Sequence, residues 1–87
     1  MTAMKLKEDI SVVASFGKPY KVRPVRFRWN GRLLEVNEVT YRWSTMEGRA
    51  VVHHFAVTDG NSAYEITFNS QTLLWRIEAM DEVEDPH

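Results

Sequence analysis

Residues 24–32, PVRFRWNGR, alternate apolar and basic side chains and stop on Asn-Gly. Strict alternation is the mark of a strand with one wet face, and Asn-Gly between two such runs marks a two-residue hairpin loop. With Asn30-Gly31 as the loop, Trp29 faces Arg32, Phe27 faces Leu34 and Val25 faces Val36 on an apolar side. Arg26 then faces Glu35 and Arg28 faces Leu33 on the other side, so Arg26 has a cross-strand partner of opposite charge. Arg32 is placed to stack on Trp29.

The following run, RLLEVNEVTYRWS, changes apolar phase midway: Leu34 and Val36 are even, Val39, Tyr41 and Trp43 odd. A one-residue shift requires a bulge or sharp bend, here near Asn37-Glu38. TMEGR predicts a three-residue loop with Gly48 in the left-handed conformation. Trp43, Tyr41 and Val39 then share a face with Val51, His53 and Phe55. A Gly60-Asn61 turn pairs Val57 with Tyr64, Phe55 with Ile66 and His53 with Phe68. A four-residue loop, Asn69 to Thr72, pairs Phe68 with Leu73, Ile66 with Trp75 and Tyr64 with Ile77, with Glu65 meeting Arg76 outside.

Residues 4–14 are ambiguous. Met4, Leu6, Ile10, Val13 and Ala14 fit a helical face, whereas β-branched Ile10, Val12 and Val13 favour a strand. The hairpins agree on one apolar face. They predict an all-β, antiparallel meander of five to six strands, curled into a small barrel or half-barrel. Leu33 and Leu74 fall on its outer face, where the N-terminal segment is expected to cover them. Residues 1–87 form one domain, with 1–9 and 81–87 as frayed termini.

Composition narrows the class. Cysteine is absent, which removes disulfides and thiolate metal cages. The opening MTAMKLKEDI has no secretory apolar core, and no apolar run reaches the length of a membrane span, so a soluble cytoplasmic protein is expected. The net charge of −1 hides an asymmetry: residues 1–49 carry +5 and residues 50–87 carry −6. Such a split points to a nucleic-acid or membrane partner, or to opposite charges meeting across a sheet.

Little suggests catalysis. His53 and His54 are adjacent on a strand and point to opposite faces, so they cannot share a metal. No zinc spacing, phosphate loop, dinucleotide fingerprint or nucleophile elbow is present. No carboxylate lies on the apolar face, where its pKa would be raised. No catalytic residue, metal site or cofactor is expected. The stretch GKPYKVRPVRFRWNGR does hold six cations and no acid: Lys18, Lys21, Arg23, Arg26, Arg28 and Arg32. With Tyr20 as an exposed ring, these supply the positive groove and stacking platform by which small β-barrels hold single strands. Trp29 counts as core by its phase. The leading expectation is a non-enzymatic binding module for a protein partner, docking on an edge or an outer apolar patch, with DNA or RNA as the alternative.

RPVRFRWNGRLLEVNEVTYRW, followed by HHFAVTDGNSAYEITFNSQTLLWRIE, resembles a family of small bacterial β-domains of unknown function. Its pattern is P-x-x-F-x-W-x-G-R, then V-x-x-V and a Trp, then Y-E-[LI] and T-x-x-W-x-[LIV]. Pro24, Phe27, Trp29, Gly31, Arg32, Val36, Val39, Trp43, Tyr64, Glu65, Thr72, Trp75 and Ile77 carry the resemblance over residues 22–80. Some members are similar to appendages of translesion-polymerase-like proteins, which implies an accessory role near nucleic acid. The family supplies no catalytic residues. Leu33-Leu34 stands where it has an aromatic, and the acidic tail is peculiar to this chain.

Overall fold

In the computed structural model, which describes residues 3–18 and 21–82, every regular element is a strand. There are seven: β1 (Ala3–Phe16), β2 (Val22–Trp29), β3 (Arg32–Glu35), β4 (Glu38–Glu47), β5 (Ala50–Thr58), β6 (Ser62–Asn69) and β7 (Trp75–Glu82). They form one antiparallel sheet of order β3-β2-β1-β7-β6-β5-β4. Consecutive strands pair as hairpins everywhere except between β3 and β4, and the first strand pairs with the last.

The strand count exceeds the expected five to six for two reasons. Residues 3–16 are a strand, resolving the helix–strand ambiguity, and the long second strand splits at Val36-Asn37. Residues 3–9, expected to fray, pair with β7 from Ala3–Asp81 onward, so the first strand is anchored. Residues 81–82 also belong to the sheet; 83–87 lie outside the described residues.

The phase change at Asn37-Glu38 is where the chain changes sides. The Val36 amide donates to the Val25 carbonyl of β2 (2.9 Å), and the next amide, Asn37, donates to Thr58 of β5 (2.8 Å). These two residues therefore step from one end of the sheet to the other. The sheet curls strongly: Phe27 of β2 and Tyr64 of β6 meet edge-on at 5.3 Å, although two strands separate them in the sheet. Among the described residues no ladder joins β3 to β4, so the barrel is not closed. A seam remains there; β3 pairs with β2 only from Arg26 to Trp29, so near Val22 the seam runs between β2 and β4.

Inside the curl, Phe27, Phe55, Val57, Ile66 and Ile77 are fully buried. Trp75 packs against Phe68 at 4.8 Å and Phe55 at 5.8 Å. The β2–β3 and β5–β6 registers are those the sequence predicts, including Phe27–Leu34 and Phe55–Ile66. In the last hairpin the partners shift by two residues, to Phe68–Trp75 and Ile66–Ile77. The connection is longer than expected because the Asn69 side chain accepts the amides of Gln71 and Thr72, at 2.9 and 3.0 Å, and holds a wider turn. An even shift preserves the faces. It does move Arg76 opposite Thr67 and Glu65 opposite Ala79, and Arg76 turns to Asp9 at 3.8 Å.

The β5–β6 turn is built by Asp59, which accepts Asn61 and Ser62 amides (2.9 and 2.8 Å) and the Tyr64 hydroxyl (3.2 Å). Partial burial pushes the Asp59 carboxyl up, but these donors outweigh it and the net shift is downward. No helix among the described residues is long and apolar enough to cross a membrane.

Candidate binding surface

Arg23 and Arg26 are three residues apart, a spacing that puts side chains on opposite faces of a regular strand. A bulge at Val25 removes the conflict: Ser15 pairs with Arg23 and Val13 with Arg26, while Ala14 takes Pro24. Buried positions switch parity at the same place, from Val22 and Pro24 to Phe27. Arg23, Arg26 and Arg28 thus form one row on the outer face of β2. Arg23 and Arg28 are exposed; Arg26 is half-buried and reaches Glu35 at 3.5 Å.

The other sequence candidates separate. Lys18 and Lys21 lie exposed in the β1–β2 connection. Arg32 lies opposite Trp29 and so leaves it; its charge acts on Tyr64, against which Trp29 packs at 6.1 Å. Tyr20 lies outside the described residues.

Two aromatics that sequence phase assigns to the core sit outside. Gly48-Arg49 is a two-residue turn, with Glu47 opposite Ala50 and Gly48 at φ 62°. Glycine first in a two-residue loop is the type II′ signature, the local signal that distinguishes this turn from a three-residue loop. The change flips the pairing parity of residues 41–46. Trp43 faces His54 rather than the inner face of His53, and Arg42 takes the inner position opposite Phe55. An irregularity at Thr40 then returns Val39 to the inside, opposite Val57.

The outer face of β4 therefore presents Tyr41, 65% exposed, and Trp43, half-exposed, with ring centroids 5.4 Å apart. Trp43 lies flat on His54, at 4.9 Å and 17° between planes. His54 is fixed from both sides, by the Thr45 hydroxyl at 2.8 Å and the Glu65 carboxylate at 3.5 Å. The indole thus has a rigid support under one face.

Arg42 locates these rings relative to the basic row. Its guanidinium lies 5.2 Å over the Phe55 ring and donates to the Val22 carbonyl at 3.1 Å, across the seam from β4 to β2. Tyr41 and Trp43 flank Arg42; Lys21 and Arg23 flank Val22. The exposed Tyr41 and half-buried Trp43 on β4, and the exposed Lys21 and Arg23 by β2, therefore flank the two ends of one contact across the seam. An inward charge on a free edge also discourages indiscriminate strand pairing.

His53 takes the inner face, stacked on Phe68 at 6.3 Å. Burial lowers its pKa first, followed by the charges of Lys21, Arg42 and His54. Among the described residues no three His, Cys, Asp or Glu side chains group as metal ligands. Leu33 and Leu74 are 54% and 55% exposed, so the N-terminal strand does not cover them: it is an inner member of the sheet, between β2 and β7. Comparison of the chain with protein-family models, curated proteins and solved structures finds no match.

Proposed function

We propose that this chain is a non-enzymatic cytoplasmic binding module, a half-barrel whose seam between β2 and β4 holds single-stranded nucleic acid. One observation carries the reading: the Tyr41–Trp43 pair, Tyr41 exposed and Trp43 half-buried, flanks Arg42, whose bond to the Val22 carbonyl crosses the seam between Lys21 and Arg23. Base stacking on aromatic side chains is worth about 1–3 kcal/mol per base and tolerates any sequence, while cations beside the rings track the phosphates. A duplex keeps its bases stacked on each other and gains only the phosphate contacts. The resemblance of residues 22–80 to a family of β-domains of unknown function, some members of which are similar to appendages of translesion-polymerase-like proteins, implies the same direction.

The test is binding of a labelled oligothymidine to the wild type, to the Tyr41→Ala/Trp43→Ala double variant and to Arg23→Glu/Arg28→Glu. Both variants should bind at least about tenfold more weakly while keeping the wild-type circular dichroism. Undiminished binding by the aromatic variant refutes the stacking platform.

A protein partner is the second reading, favoured by Val13 and Leu33, each 54% exposed on the outer face of β1 and β3 beside the arginine row. That strip, rather than the seam, is then the contact.

A further inference from the structure

At the edge strand β4 and its neighbour β5, a recess of about 250 Å³ is lined by Arg42, Trp43, Ser44, His53, His54 and Phe55. The Arg42 guanidinium on its lining reaches the Val22 carbonyl at 3.1 Å, which brings Lys21, the residue before Val22, to the same side of the seam. Lys21 from the β1–β2 connection and Arg42 from β4 both act on His53 with positive charge. Such a surrounding favours an anion. Ser44 adds a hydroxyl donor, and Phe68, on which His53 stacks, gives the imidazole a fixed orientation.

Phe55, 1% exposed, lies at the base of the recess, with Trp75 packed against Phe55 and Phe68 against Trp75.

We propose that this recess binds a phosphomonoester through Lys21, Arg42 and His53, and that its source is the phosphorylated end of the strand whose bases rest on Tyr41 and Trp43. The inference rests on the nucleic-acid reading for that source; a free phosphomonoester is the other source of the same chemistry. A phosphomonoester carries nearly two negative charges at neutral pH and three acceptor oxygens, against one charge for an internal phosphodiester. A site of two cations and an imidazole therefore distinguishes an end from the middle of a strand.

The experiment follows the ring-proton NMR titration of His53, assigned with His53→Gln, in the presence of three probes. These are a short oligothymidine carrying a terminal phosphate, the same oligothymidine with hydroxyl ends, and inorganic phosphate. Anisotropy measures the two oligonucleotide affinities in parallel. The phosphate-ended strand should raise the His53 midpoint and bind about fivefold tighter than its hydroxyl-ended twin. His53→Gln, a change the strand-binding surface does not use, should abolish that preference and leave binding of the hydroxyl-ended strand within about twofold of wild type.

Equal affinities with an unmoved His53 refute the phosphate site and leave the nucleic-acid reading standing. A His53 midpoint raised by inorganic phosphate, with no binding of either strand, supports the phosphate site, assigns it to a free phosphomonoester and refutes the nucleic-acid reading. No response to any probe refutes both.

Discussion

Trp43 and Trp75 undergo the same truncation on opposite faces of the sheet, so the pair tests the register on which the binding surface depends. Trp75 is 8% exposed and packed between Phe55 and Phe68. Its replacement by alanine leaves a cavity in a dense core and should cost about 3–5 kcal/mol. A domain of this length has about 4–13 kcal/mol in total, so the variant should be close to unfolding. Trp43 is half-exposed and loses mainly its stack on His54. An aromatic pair of that kind contributes about 0.5–1.5 kcal/mol beyond area burial, so Trp43→Ala should cost about 1 kcal/mol. Urea denaturation followed by circular dichroism measures both; in thermal melts each kcal/mol moves the midpoint by about 4–8 °C. A loss above about 3 kcal/mol for Trp43→Ala would put its ring in the core. The two-residue Gly48-Arg49 turn would then be wrong, and the aromatic bank of the seam with it.

Other consequences are quick to check. Arg23→Glu/Arg28→Glu should leave the urea midpoint nearly unchanged, since both side chains lie on the solvent face; loss of the fold would overturn that placement. Arg26→Ala should cost less than about 1 kcal/mol, because its ion pair with Glu35 is 3.5 Å long and both side chains are substantially exposed. Acid should weaken the fold in two stages. His53 has a folded pKa below its ordinary 6.5, so the unfolded chain takes up the proton first. Its contribution is complete above about pH 6.5 and falls away as pH drops toward the folded value. Asp59 is likewise depressed, so its contribution is present above the ordinary carboxylate range and is lost as pH falls through its folded pKa. Denaturation midpoints in the His53→Gln and Asp59→Asn variants should lack the first and second stage respectively.

Much of the fold is written in local signals. Asn30-Gly31, with φ 54° and 73°, sets the β2–β3 register, and Gly60-Asn61 sets that of β5–β6. The phase change after Val36 marks the step across the seam. Three features are not local. The pairing of β1 with β7 joins residues some seventy apart, and alternation cannot announce it. The Val25 bulge keeps Arg23 in line with Arg26 but depends on the partner strand, since a bulge is a property of a pair. At Gly48, one residue of loop length decides whether Trp43 is core or surface. Apolar character biased that choice toward the core, and the inward Arg42, carried by Phe55 and the Val22 carbonyl, is the compensation that makes the other register work. The basic row itself was legible; its companions Tyr41 and Trp43 were hidden by that single register step.

The most direct test of the seam as a single-strand site is the salt dependence of oligothymidine binding, by anisotropy at about 50 and 200 mM salt, with a duplex of equal length alongside. If Lys21, Arg23 and Arg28 each displace a counterion, the slope of log affinity against log salt is about −2, and affinity falls about twentyfold between the two conditions. The account predicts that fall for the single strand, and tighter binding of the single strand than of the duplex. Duplex binding equal to or tighter than single-strand binding, or no binding at either salt, would contradict it.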